Sequence, residues 1–307
     1  MQITRRTLMS GAIALAGGMM IPRIAWTNAS LDLTEGTLDT LSDGHLALPR
    51  SFVLADVPQP QADEVLAQFG IAPEAETLRP DCNLTLWRDG DRVVLFDAGS
   101  GPDFMPTAGK VMAALDALGL SAEDVTDVVF THGHPDHLWG VLDDFDEPLF
   151  AQAQHHMGRI EYEYWSDPTL TETIAPERVT FAVGAARRLA VLADTIKLFD
   201  DGDMVLPGVT ARATYGHTPG HMAFEVGSGA EAVLILGDCI ANHHLAFAHP
   251  DWANGSDQDP DAGAATRIRM LADLAERQTV FAGFHLPHPG IGRAVRAGEG
   301  YDYVPLE

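Results

Sequence analysis

Apolar and polar positions along this chain fall into short runs separated by turns that carry glycine, proline and aspartate. Leu38 to Pro49 reads as strand, a turn at Ser42-Asp43-Gly44, then strand. Val57-Pro58-Gln59-Pro60 breaks that pattern, and a polar helix is predicted from Ala62 to Phe69. Asn83 to Trp87 and Arg92 to Phe96 flank Asp89-Gly90, the turn chemistry of a β-hairpin. A helical pattern from Thr107 to Leu118 stops at Gly119, and Val125 to Phe130 is an apolar strand. Further on, the pattern predicts a short strand at Leu149 to Ala151 and a helix from Gln154 to Trp165, broken at Asp167-Pro168. Another helix covers Phe181 to Leu192. Strands follow at Thr195 to Leu198, Val209 to Tyr215, Met222 to Val226 and Ala232 to Leu236. His249 to Gly263 is a loop by composition. Ala264 to Arg277 is helical, with Ile268, Leu271, Leu274 and Ala275 near a period of 3.6, and Thr279 to Phe281 is a last strand. Helix and strand alternate in blocks with no composition break to mark a linker. One domain over residues 30–307 is predicted, with sheets inside and helices outside.

Where the apolar run Val128-Val129-Phe130 ends, the chain reads Thr131-His132-Gly133-His134-Pro135-Asp136-His137. His132 and His134 are two apart, so on extended chain both rings project to one side. Pro135 then favours a turn or the first position of a helix. Asp136 and His137 follow on that turn, splayed differently, so one short segment could hold two metal ions. Three later residues stand at similar places. His217 lies in Gly216-His217-Thr218-Pro219-Gly220-His221, Asp238 follows the run Val233 to Gly237, and His285 follows Phe281-Ala282-Gly283-Phe284. Strand ends of this kind let a rigid sheet place ligands while loops leave room for a substrate.

Composition narrows the function classes. A formal charge of −25 repels phosphate backbones and anionic lipids, which argues against nucleic acid and polyanionic substrates. The one long apolar segment, Leu8 to Ile24, carries glycines and is interrupted by Pro22 and Arg23, so stable membrane insertion is not expected. That segment reads as an export signal over residues 1–29, with Thr4-Arg5-Arg6-Thr7-Leu8-Met9 resembling the twin-arginine motif and cleavage after Ala29 or Ala25. The twin-arginine machinery would then be a partner and the periplasm of a bacterium the location. The two cysteines, Cys82 and Cys239, sit in apolar runs and read as small buried thiols, with a disulfide left open.

The set His132-x-His134-x-Asp136-His137, His217, Asp238 and His285, with Asp97 in Phe96-Asp97-Ala98-Gly99, resembles the metallo-β-lactamase fold superfamily. That resemblance implies an α/β fold, a four-layer αββα sandwich of two packed mixed sheets with helices on the outer faces. It also implies that His132, His134 and His217 hold one metal, that Asp136, His137 and His285 hold another, and that Asp238 bridges the two. Asp97 would orient a ligand histidine. Leu41 to Gly44 with Leu46 to Pro49, the Gly216 to His221 motif, and His285-Leu286-x-x-Pro289-Gly290-Ile291-Gly292 look like the methyl parathion hydrolase branch. Gly300-Tyr301-x-x-Val304-Pro305 belongs to the same likeness. Members of that branch are binuclear zinc hydrolases of organophosphate triesters, esters or lactones.

Two divalent cations, two carboxylates and a bridging hydroxide leave such a centre net positive. It can lower the pKa of bound water from ~15.7 to roughly 7. Hydroxide attack on a neutral ester, lactone or phosphotriester is therefore the expected chemistry, with Asp136 and Asp238 as its catalytic carboxylates. Nitrogen and oxygen ligands suit zinc, with manganese, iron or cobalt as alternatives. Phe104, Trp165 and His221 are candidates for the substrate pocket, and a homodimer is left open. Two other activities share the scaffold: β-lactam hydrolysis, and iron-dependent redox chemistry of the sulfur dioxygenase kind. His155-His156 and His243-His244 read as surface or pocket wall rather than ligands.

Overall fold

The computed structural model describes residues 29–55 and 57–306. The twin-arginine motif at Thr4 to Met9 lies outside the described residues. Two seven-stranded sheets carry the fold, and the chain finishes the first before it starts the second. Sheet one consists of β1 (Ser30–Asp32), β2 (Thr37–His45), β3 (Asp81–Asp89), β4 (Arg92–Phe96), β5 (Asp127–Phe130), β6 (Gln154–Gly158) and β7 (Lys197–Phe199). Sheet two consists of β8 (Met204–Leu206), β9 (Val209–Ala213), β10 (Met222–Val226), β11 (Val233–Ile235), β12 (Val280–Ala282), β13 (Ile291–Ala297) and β14 (Gly300–Pro305). From β4 to β7 the strands of sheet one run parallel, and in sheet two only β11 and β12 do.

Period-two alternation makes the layers. Val94 and Phe96 of β4, with Val129 of β5, meet Met222, Phe224 and Val226 of β10 and Ile235 of β11 between the sheets. The intervening Leu95, Val128 and Phe130 face the opposite way, onto the helices Val111–Ala117 and Val179–Leu192. Likewise Ala223 and Leu234 turn outward onto the helix Pro260–Arg277 through Met270, Leu271 and Leu274. A strand buried on both faces must be apolar at successive positions, and β4, β5 and β10 are. The result is the four-layer αββα sandwich, with helices outside two mixed sheets. No helix among the described residues is long and apolar enough to cross a membrane.

Phe224 is fully buried between the sheets, its ring centroid 5.5 Å from Phe96 and 5.7 Å from Phe199. Phe224→Ala should cost about 3–5 kcal/mol, read as a lowered urea midpoint with unchanged slope.

Three local expectations fail. Leu38 to Pro49 is not a hairpin: β2 runs through Ser42-Asp43-Gly44 with a shift of register against Asn83 and Cys82. Asp43 is the extra residue of that bulge, turned inward. Its carboxylate accepts from the backbone N–H of Ser100 (2.9 Å), Gly109 (3.1 Å), Lys110 (2.5 Å) and Val111 (2.8 Å). The same contacts explain why the helix predicted from Thr107 begins only at Val111. Leu149 to Ala151 is turn, and Gln154 to Gly158 is strand rather than helix. There His156 Nε2 lies 2.9 Å from Asp127 Oδ1 and the His155 ring stacks on Phe130, so polar side chains occupy sheet positions.

Candidate metal centre

All seven predicted ligands lie at one end of the sandwich, and all are buried. Chain leaving β5 supplies His132 and His134, and the short helix Pro135–Leu138 supplies Asp136 and His137. His217 comes from the turn between β9 and β10, Asp238 from the turn after β11, and His285 from the turn after β12. They form two groups, His132/His134/His217 and Asp136/His137/Asp238/His285, with ligand atoms in each group within 4.8 Å of one another.

Outer partners fix which ring nitrogen points inward. His217 Nδ1 meets Asp257 Oδ1 at 3.1 Å, His137 Nδ1 meets Asp97 Oδ2 at 2.7 Å, and His285 Nδ1 meets Asp81 O at 2.8 Å. All three partners only accept, so each ring keeps a proton on Nδ1 and directs Nε2 inward as the nitrogen that can face a cation. Thr131 Oγ1 donates to Asp97 Oδ2 (2.8 Å) and therefore accepts from His132 Nδ1 (3.0 Å), baring His132 Nε2 too. His134 Nδ1 then sits 2.9 Å from both His132 Nε2 and His217 Nε2. At least two bare lone pairs face one another across that gap, which suits a cation at their centre.

The second group makes the same case. Asp136 Oδ2, His137 Nε2 and Asp238 Oδ1 are buried without a hydrogen-bond partner. Asp238 reaches both groups: Oδ2 is 3.1 Å from His285 Nε2 and 3.4 Å from His217 Nε2, and Oδ1 is 3.3 Å from His137 Nε2. These residues fit a pair of divalent cations. Burial opposes charge on His137, but Asp238, Asp136 and Asp97 outweigh it and raise its pKa to about 10. His285 is likewise raised despite burial, by Asp238 and Asp136, whereas burial and neighbouring rings push His132 and His134 well down. Burial also pushes Cys82 and Cys239 up to about 12, so neither is a thiolate nucleophile, and both are free.

A model of the metallo-beta-lactamase superfamily matches residues 79–281. The chain belongs to this superfamily. Hydrolase AbOPH, described as in the beta lactamase superfamily, superposes with a TM-score of 0.84 at 26% identity, covering 91% of this chain and 97% of that one. AidC, a dizinc quorum-quenching lactonase, shares the fold with a TM-score of 0.84 at 24% identity and the same coverage. An uncharacterized protein of Mycobacterium tuberculosis (strain H37Rv) is 26% identical over 241 residues, 76% of this chain and 94% of that protein. The chain thus has the fold of superfamily hydrolases and a candidate divalent metal centre.

Within this metallo-beta-lactamase site, the three pocket candidates have different fates. Phe104 lines the cleft above the metal groups. Trp165 does not: it is fully buried beneath His134, and its Nε1 donates to Glu161 Oε1 at 2.6 Å. His221 is also fully buried away from the cleft. Its Nε2 accepts from the Asp238 N–H (2.9 Å) and its Nδ1 donates to Thr214 Oγ1 (2.7 Å), so it fixes the backbone of the bridging carboxylate. Burial holds its pKa well below the ordinary histidine range, consistent with the neutral ring this bonding needs. Sequence reasoning missed Asp257, itself held by Arg267 Nη1 at 3.3 Å, because it lies in a run read only as loop. It also missed Asn83, whose Nδ2 donates to Phe284 O (3.0 Å) and Leu286 O (2.7 Å) and so pins the His285 turn.

Proposed function

We propose that the protein is a binuclear metal-dependent hydrolase, zinc-loaded, acting on neutral esters, lactones or phosphotriesters. The reading also carries the methyl parathion hydrolase likeness and export to the periplasm. The observation that supports it most is Asp238, a single buried carboxylate within reach of both histidine groups. His132, His134 and His217 would hold one ion, Asp136, His137 and His285 the other, with Asp238 shared. Bound there, the ions supply Lewis acidity and an ionised water at neutral pH. The chain does the rest. Asp97, Asp257 and the Asp81 carbonyl hold three imidazoles in one tautomer and orientation. Leu46, Leu48, Phe52, Ile71, Phe104 and Phe181 line one cleft with Asp136, Asp238 and His285, excluding water and favouring an uncharged substrate with an apolar substituent. A departing alkoxide would take its proton from water, directly or relayed through Asp136, which lines that cleft, while a phenolate leaves without one. Lactonase activity of AidC adds weight to the lactone arm.

Metal analysis of purified protein, with a panel of p-nitrophenyl esters, lactones and phosphotriesters, tests this. About two zinc ions per chain and turnover lost to chelator are expected. Iron with oxygen consumption and no hydrolysis would move the assignment to redox chemistry. Phe181→Ala should raise KM about tenfold for substrates with an apolar substituent, because Phe181 lines the cleft with its ring centroid 5.9 Å from that of His134.

A further inference from the structure

The helix Arg159–Ser166 passes beneath the His132/His134/His217 group and carries Glu161, which is fully buried. Its carboxylate accepts four hydrogen bonds. Oε1 takes the Gly133 N–H (2.8 Å) and the Trp165 Nε1–H (2.6 Å). Oε2 takes the Thr218 hydroxyl (2.7 Å) and the Gly220 N–H (2.9 Å). Gly133 sits between His132 and His134, and Thr218 follows His217. One side chain therefore ties together the two loops that supply all three imidazoles, which lie 83 residues apart in sequence between His134 and His217.

The loops are pressed close. A Cβ at Gly133 would stand 2.4 Å from the Trp165 indole, and one at Gly220 would stand 2.2 Å from the Glu161 backbone nitrogen. Burial pushes the Glu161 carboxyl up from the ordinary range, and its four donors oppose that. Three of the four donors are N–H groups that cannot accept. A proton on the carboxyl could bond only the Thr218 hydroxyl and would cost that hydroxyl's own bond, so the anion is the form this cradle fits.

We infer that Glu161 is a positioning residue for the three-histidine metal site, setting the approach of the two loops and hence the affinity of that ion alone. The inference rests on the binuclear reading above. Neither of the other ion's histidines, His137 and His285, is bonded to Glu161; their braces are Asp97 and the Asp81 carbonyl. Glu161→Gln keeps the shape but puts an amide NH2 where an acceptor stood. If it faces Thr218 the hydroxyl can turn and accept, yet the Gly220 N–H loses its partner. If it faces Gly133 and Trp165, two N–H donors lose theirs.

The test dialyses metal-loaded full-length protein against graded chelator and counts metal per chain. Cobalt-substituted protein reports which ion leaves, because three imidazoles and a carboxylate-rich set give different visible spectra. The three-histidine ion should weaken by roughly 10–100-fold in Glu161→Gln while the other stays as in wild type. Unchanged retention of both ions, or equal loss of both, overturns the inference. Should that variant fail to fold, Thr218→Ala removes one donor only and should weaken the same ion selectively but less. Equal retention there overturns it too. A wild-type protein that holds no ion defeats the binuclear reading itself, and this inference with it.

Discussion

Asp238→Ala should lower kcat/KM by roughly 10^3-fold or more and leave the protein unable to keep two metal ions through dialysis. Among the described residues Asp238 is the carboxylate that approaches imidazole nitrogens of both groups, His217 on one side and His137 and His285 on the other. Its removal also takes away one of the two carboxylates that would offset the charge of a pair of divalent cations, leaving Asp136 alone among the candidate ligands to do so. Asp238→Asn keeps the shape and the His221 contact to the backbone but loses the charge, and should fall between wild type and alanine. Steady-state kinetics beside metal counting checks both variants. Full turnover by the alanine variant would refute the bridging role.

The second large effect is a difference in pH dependence between the two metal sites. His132 and His134 are held neutral by burial, so loading the three-histidine site displaces no proton from either ring near neutral pH. His137, raised to about 10, and His285, also raised, carry protons in the metal-free chain and must release them to ligate. The sign follows: metal competes with protons at the second site, so its affinity rises with pH and is lost first in acid. With two protons displaced, affinity there should climb about 100-fold per pH unit between pH 7 and 8, against little change at the first site. Calorimetric titration in buffers of different ionisation enthalpy counts the released protons. Equal slopes at the two sites would contradict the assignment.

The seven candidate ligands were legible because each stands at or just past the end of a strand-like run. The block alternation of strands and helices pointed to sheets inside and helices outside, and the four-layer sandwich came with the family resemblance those residues carry. The braces were not legible. Glu161 sits on a helix among Tyr162, Glu163 and Tyr164 and looks like a solvated position until Gly133 and Gly220 fold onto it. Asp43 looked like a turn residue because Ser-Asp-Gly also suits a bulge, and only the partner strand tells the two apart. Trp165 is a pocket candidate by its aromatic ring at a position like that of the resembled branch, whereas its indole N–H needs a buried acceptor and finds Glu161. Gln154 to Gly158 escaped as a strand because what holds its histidines comes from the neighbouring strand: Asp127 bonds His156, and the Phe130 ring stacks on His155. Ligands announce themselves by residue type at strand ends; the groups that aim them depend on long-range contacts that no local pattern encodes.

Anomalous scattering from crystals of zinc-loaded protein tests the central claim most directly. Two peaks are expected, one within ~2.0–2.1 Å of His132 Nε2, His134 Nδ1 and His217 Nε2, the other at similar range from His137 Nε2 and His285 Nε2, with Asp238 between them. A single peak, or a pair in which Asp238 contacts neither, would contradict it.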